Sequence, residues 1–348
     1  MDTDLKGYLV QIQREARKNT RINYILGNTS GDLDSVVSAI SYSKLLNVIN
    51  FPVNFENDTR TRIYGKHVPI LNFNKESIGL KFALIELINY FSEKTASVPI
   101  NISEFSFIFF DDIRTSLIDK IENRDAEDSS SFSNDKGPFI TLVDHNVLDN
   151  SQKFFENNIV SIVDHHEDDN TTKSTFRLSK GTKIGSCSTL IGKLWMDCHN
   201  DGRLSDEDLL ANKYYLLMLI GAILKDTSNF DKRSLNKRWC LLDSQIHNWL
   251  CNKTNISNKE CMNLYKNRLE NSNRNTVLLF KNDLTDLFSM DYKLFSYKND
   301  SFNVGYSSFE INITSIINYY ENSKFNEKAG VSSNNKANND ILERALCS

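Results

Sequence analysis

The sequence predicts an α/β fold, a doubly wound and mainly parallel sheet followed by a second, smaller α+β domain. Three observations carry that reading. Short, predominantly apolar runs recur in the first half, as strands buried on both faces require. Helix-period segments separate them, which is the pattern of βαβ units. With 348 residues, 40% of them hydrophobic and 25% charged, the chain exceeds what one core usually supports.

In order along the chain, residues 22 to 26 (INYIL) read as the first strand, 27 to 35 (GNTSGDLDS) as its loop, and 36 to 49 as a helix packed on the sheet. Residues 51 to 55 read as the next strand, 76 to 91 as a helix, and 105 to 110, 139 to 143 and 159 to 163 as further strands. The Ser/Asp-rich stretch from 122 to 137 lacks periodicity and reads as an exposed insertion. Helices are expected at about 206 to 223 and 232 to 250, closing a first domain of residues 1 to 250. A second domain of residues 251 to 320 then holds a helix near 261 to 282 and strands at 291 to 297 and 302 to 309. The Asn-rich stretch from 321 to 348 has too little apolar patterning to be expected to order.

Charge and cysteine usage exclude several classes. Lys and Arg number 41 against 45 Asp and Glu, a net charge of −4, so neither a nucleic-acid coat protein nor a polybasic membrane binder is expected. The opening residues are acidic and polar where a secretory leader needs a basic head and an apolar run, and the longest apolar stretch, 214 to 224, is short for a membrane span. Six scattered cysteines form no C-x-x-C pair, which fits a reduced, cytoplasmic compartment and a monomer without a disulfide framework.

The chemistry concentrates where apolar runs end. Asn28, Asp32 and Asp34 follow the first strand; Asp144, His145 and Asn146 follow the second-last; Asp164, His165 and His166 follow the last; and Asp226 follows LLMLIGAIL. In parallel sheets the carboxyl edge is where sites are built, and mixed carboxylate and imidazole donors suit Mg or Mn. Each piece has a plainer reading: Asp32 and Asp34 as helix caps, His165 and His166 pointing to opposite sides, Asp144 closing a turn, Asp226 ending a helix. Two V-D-H tripeptides in a chain with six histidines favour the metal site. Lys232, Arg233, Lys237 and Arg238 could line a polyanion channel or form a solvated helix face, with nothing to separate the two.

VDHH at 163 to 166, VDHN at 143 to 146, GNTSGDLDS at 27 to 35 and GAILKDT at 221 to 227 together resemble the DHH phosphoesterase superfamily. The match lies in the branch of family II inorganic pyrophosphatases and fungal cytosolic exopolyphosphatases, and GSCSTLIGKLW at 185 to 195 resembles that branch too. Pyrophosphatases have His where this chain has Asn28, an asparagine shared by exopolyphosphatases and prune-type proteins. The resemblance implies two divalent ions, Mg or Mn, sharing Asp144, with Asp32 on one, Asn28 its weak or indirect partner, and Asp34, His165 and Asp226 on the other. It implies His166 as donor to substrate phosphate, Asp164 and His145 as supports, and Lys293 of the D-x-K pattern as a phosphate contact, Lys232 and Arg233 being further candidates. Ser289 and Met290 replace the Arg-Lys pair usual there, and the second domain looks shortened. His67 is a weaker candidate, more plainly a loop histidine. The expected activity is exopolyphosphatase on inorganic polyphosphate. Its rivals are a pyrophosphatase, a nucleotide phosphodiesterase, and a catalytically weak prune-like binding protein.

Overall fold

The computed structural model describes residues 5–18, 21–49, 65–93, 101–127, 138–168, 170–179 and 183–270, together with short pieces from 272 to 318 that include 292–297 and 302–308. Helix α1 (Leu5–Lys18) opens the chain in the segment weighed above only as a leader. Leu5, Tyr8, Leu9 and Ile12 follow the spacing of one helix face and are the residues it buries.

Strand β1 (Ile22–Leu26) is buried along its whole length and leads into α2 (Leu33–Ile49). The next strand is β2 (Lys66–Ile70); the expected strand at 51 to 55 lies outside the described residues. Pro69 interrupts its apolar pattern and lacks a donor, which an edge strand tolerates. The expected helix at 76 to 91 divides into a 3-10 turn (Lys75–Leu80) and α3 (Phe82–Glu93), broken at Lys81. The strand expected at 105 to 110 shrinks to one bridge, Phe109 beside Leu71, because α4 (Phe110–Glu127) begins at once with Asp111 and Asp112 in its first turn. That helix takes up residues 122 to 127 of the expected insertion, whose remainder lies outside the described residues.

Strands β3 (Phe139–Val143) and β4 (Ile159–Asp164) fall where the apolar runs placed them, and β5 (Phe176–Ser179) adds a strand that the sequence did not announce. All five strands run parallel in the order β2-β1-β3-β4-β5. Strand order therefore reverses direction between β1 and β3, and the crevice beyond their carboxyl ends is where such sheets bind ligands.

Helices α5 (Cys187–Asn200), α6 (Asp206–Ala211), α7 (Lys213–Asp226), α8 (Leu241–Thr254) and α9 (Asn258–Leu264) follow. The single helix expected at 206 to 223 is thus two, α6 being closed at its start by a Ser205–Asp208 capping box. The helix expected from 232 begins only at Leu241. Asp231 caps a 3-10 turn by accepting from Arg233 N, and its carbonyl takes the Trp239 indole at 2.9 Å, so those residues form a turn. A five-residue π turn (Tyr265–Leu269) extends α9, and Cys261, Leu264 and Leu269 belong to the same hydrophobic core as the sheet, past the boundary expected at 250. Strands β6 (Tyr292–Tyr297) and β7 (Phe302–Ser307) form an antiparallel hairpin. Among the described residues no helix is long and apolar enough to cross a membrane.

Candidate metal centre

The loop after β1 folds around the Asn28 side chain. Its carbonyl oxygen accepts from Gly31 N at 2.9 Å and from Ser30 Oγ at 2.9 Å. Two donors on that oxygen fix which way the amide points, so its Nδ2 faces outward and donates to Asp144 Oδ2 at 2.8 Å. Gly31 sits at a φ of +55°, and a Cβ there would strike the Phe73 ring. Asp32 does cap α2, accepting from Ser35 N through Oδ1 at 3.0 Å, while its exposed carboxylate also borders the crevice.

Asp34 is buried and held by the start of α5. Ser186 Oγ and Ser188 N donate to its Oδ1 at 2.8 Å each, and Cys187 N donates to its Oδ2 at 2.6 Å. A helix N-terminus offers unpaired N–H groups and a positive dipole end, which is why a small-residue turn, GSCS, can fasten a carboxylate there.

Asp144 stands just past β3 at a φ of +62°, a conformation that costs a non-glycine residue energy and is kept only where the surroundings enforce it. The enforcing contacts are its own N–H on Val163 O at 3.0 Å and the Asn28 amide. Its Oδ1 is buried without a hydrogen-bond donor, 3.2 Å from His165 Nε2. His165 Nδ1 lies 2.9 Å from the Ile184 carbonyl, which can only accept, so the ring proton belongs there and Nε2 of the neutral ring brings a lone pair. Asp34 Oδ2 lies 3.9 Å from the same Nε2. With the ring neutral three lone-pair atoms converge, and without a cation among them Nε2 takes a proton that it shares with Asp144.

His166 does not point away from His165 as adjacent strand residues would, because β4 has ended at Asp164; the ring centroids lie 4.3 Å apart. Its Nδ1 is 2.8 Å from Asp164 Oδ1, which leaves Nε2 on the open side of a half-exposed ring. Asp164 is fully buried and also takes the Asn146 amide at 2.6 Å. His145 turns inward, Nδ1 on Val143 O at 2.9 Å, so it belongs to the support and not to the crevice. Asp226 arrives from the last turn of a helix, α7, and not from a strand end; its Oδ2 is buried without a partner. Ser228, Asn229 and Phe230 beyond it all have positive φ, forming a left-handed turn.

The electrostatics show what this crowding costs. Burial, then the charges of Asp32 and Asp34, push the Asp144 carboxyl well above its ordinary pKa. Burial followed by Asp34 and Asp32 does the same to Asp226. Burial works against a charged His165, yet Asp144 as hydrogen-bond and charge partner, aided by Asp34, drives its pKa up to about 11. For Asp164 burial is outweighed by His166, which holds that carboxyl below its usual range. A site that raises its carboxylates and its imidazole together asks for positive charge among them. Asp144, His165 and His166 offer ligand atoms within 4.8 Å of one another, and the two orphaned carboxylate oxygens fit hard divalent ions.

The basic candidates fare differently. Lys232 and Arg233 lie exposed, the Arg233 guanidinium pairing with Asp231 at 2.8 Å, and no hydrogen bond or ion pair among the described residues joins them to the crevice. Lys293 is in β6, paired with Tyr306; its side chain and Ser289 lie outside the described residues. His67 is no loop residue: it sits buried in β2 with Nδ1 taking the Asn23 amide at 3.1 Å. Two participants went unnoticed in the sequence. Lys81 Nζ donates to Ser30 O at 2.5 Å and Met290 O at 2.9 Å, tying the Asn28 loop to the hairpin's approach. Ser186, the anchor of Asp34, was legible only as part of a small-residue turn.

Comparison with known proteins agrees with this architecture. The family described as DHH family, N-terminal domain, matches residues 23–222. A Schizosaccharomyces pombe protein named "Putative exopolyphosphatase" is 30% identical over 234 residues, 66% of this chain and 50% of that protein, so the chain spans about half the length of this curated relative. The structure titled "Crystal structure of Methanococcus jannaschii putative family II inorganic pyrophosphatase" superposes with a TM-score of 0.50 at 18% identity, covering 86% of this chain and 76% of that one, a likeness of fold. With the family match extending over more than half of the chain, from β1 into α7 and across the segments that carry Asn28, Asp34, Asp144 and His165, this chain belongs to the DHH family.

Proposed function

We propose that the chain hydrolyses terminal phosphoanhydride bonds of inorganic polyphosphate with two divalent ions, Mg or Mn. The observation that carries this reading is the convergence of buried Asp144 Oδ1 on His165 Nε2 at 3.2 Å, with Asp34 Oδ2 at 3.9 Å, a cluster whose crowded charge calls for a cation. Asp144 would be shared by both ions, with Asp32 on one and Asp34, His165 and Asp226 on the other. When bound, such a pair supplies Lewis acidity and neutralises charge developing on phosphorus.

The chain's own residues do the rest. Asn28 holds the shared carboxylate in a single orientation through Oδ2, leaving Oδ1 for the ions. Ile184 O keeps the His165 proton on Nδ1, so Nε2 remains a ligand. Asp164 fixes His166 by Nδ1, and with both ring nitrogens protonated Nε2–H would donate a hydrogen bond to a phosphoryl oxygen of the substrate. Lys293 on the hairpin would meet the following phosphate, with Lys232 and Arg233 serving distal units of a long polyanion. The S. pombe relative's name supports the polymer as substrate, and the asparagine at 28 supports it over pyrophosphate.

Phosphate release from long-chain polyphosphate and from pyrophosphate, side by side with Mg and with Mn, tests the proposal. Release from the polymer is expected; release from pyrophosphate alone moves the chain to the pyrophosphatase reading, and silence on both with metal bound leaves a binding protein. Asp144→Asn should abolish turnover while the fold persists, and metal-free Asp144→Asn should melt above the metal-free wild type, since it removes one charge from a crowded cluster. Retained turnover with ordinary metal dependence would sink the shared-carboxylate role.

A further inference from the structure

A second group of ligand-type side chains lies outside the crevice. His247 and Cys251 stand one turn apart on α8, and Cys261 is on α9. All three are buried, with relative exposures of 6%, 7% and 3%. Cys251 Sγ is 3.7 Å from Cys261 Sγ and 3.6 Å from His247 Nε2. The three offer ligand atoms within 4.8 Å of one another.

Two thiols in a core can be no more than small apolar side chains. The imidazole is what that account leaves over. Its neutral ring needs a partner for one N–H and one lone pair, yet among the described residues its ring nitrogens meet only sulfur, with Phe230 packed at a centroid distance of 4.9 Å. Sulfur is only a weak donor and acceptor, and a metal ion would meet the polar requirement of a buried imidazole in that position better. The spacing agrees: zinc–sulfur bonds of about 2.3 Å and zinc–nitrogen bonds of about 2.0–2.1 Å give tetrahedral edges of about 3.8 Å between sulfurs and about 3.6 Å between sulfur and nitrogen.

We propose that His247, Cys251 and Cys261 form a second metal site, distinct in chemistry from the carboxylate crevice, that takes one zinc ion. Two thiolates and an imidazole are a soft donor set that selects zinc over Mg or Mn. Among the described residues no fourth protein donor joins them, and water takes the remaining position. The ion would staple α9 to α8. Through the Phe230 contact and the Asn229 Nδ2 bond to Met262 Sδ at 3.4 Å, it would also brace the left-handed turn that follows Asp226.

Cobalt(II) added to the reduced, metal-free full chain is the test, because thiolate-to-cobalt charge transfer absorbs in the near ultraviolet and the oxygen and nitrogen donors of the crevice give no such band. Wild type and Asp144→Asn should both develop the band, saturating at one equivalent. Cys251→Ser and Cys261→Ser should lose it, and zinc-loaded wild type should yield one equivalent of zinc to a mercurial that Cys261→Ser does not yield. His247→Gln, which keeps both thiols and serves if a serine variant fails to fold, should also lose that equivalent. Absence of the band in wild type, its persistence in Cys261→Ser, or a mass showing a Cys251–Cys261 disulfide in place of bound zinc would overturn the proposal.

Discussion

Asn28 shows how a single amide orders a crowded carboxylate crevice. Its oxygen is spent on Gly31 N and Ser30 Oγ, so it serves the site as a donor to Asp144 and not as a ligand. Asn28→Ala should therefore lower turnover by about 10–100-fold, the usual cost of losing a support to a ligand. Asn28→His should shift preference from Mg toward Mn, read from activity with each ion, because a ring nitrogen is a softer donor. His67 makes a different prediction. Burial lowers its pKa from 6.5 to about 3, and the Asn23 amide on Nδ1 keeps the ring neutral. Its folded pKa lies below the unfolded one, so the stability it confers is complete above pH of about 6.5 and is lost as pH falls toward 3, by about 1.4 kcal/mol per unit. In urea unfolding across that range, His67→Gln should show a shallower acid slope. At this scale Asp144, His165 and His166 were legible because histidine is rare here and falls twice in the same tripeptide. Lys81 was not, since one lysine before an apolar helix announces nothing until the hairpin comes to meet it.

The α5 start is the clearest case of an element acting as a reagent. Three of its donors, the Ser186 hydroxyl and the amides of Cys187 and Ser188, hold Asp34 at 2.6–2.8 Å, well inside its 3.9 Å distance to His165. Ser186→Ala should cost about 1.5–3 kcal/mol in equilibrium unfolding, as expected of a hydrogen bond to a charged group. Strands β3 and β4 could be read from sequence because both faces are buried and each apolar run is interrupted only by one small hydroxyl residue, Thr141 or Ser161. Strand β2 could not, as Lys66, His67 and Pro69 hide a five-residue edge strand. The helix breaks at Lys81 and Asn212 are local backbone events within apolar periods that continue through them, and period alone does not register a break.

Over the whole molecule, the strand order and the end of α7 gather residues from 28 to 226 to one crevice, and Lys81 ties its Asn28 loop to Met290, just before β6. Lys81→Met would leave the Ser30 and Met290 carbonyls without this donor. The expected result is a loss of about 1.5–3 kcal/mol in unfolding and faster proteolysis of the hairpin, with the sheet intact. The position of Asp226 at the end of α7 also sets an order of events during synthesis. At about 5–20 residues per second, a ribosome needs roughly 4–16 s to travel from Asp144 to Asp226. Throughout that interval the nascent chain holds Asp32, Asp34 and Asp144 without their helical counterpart. On the proposed reading, capture of the full metal complement would follow the docking of α7, and a ribosome stalled between those two aspartates would display an incomplete crevice.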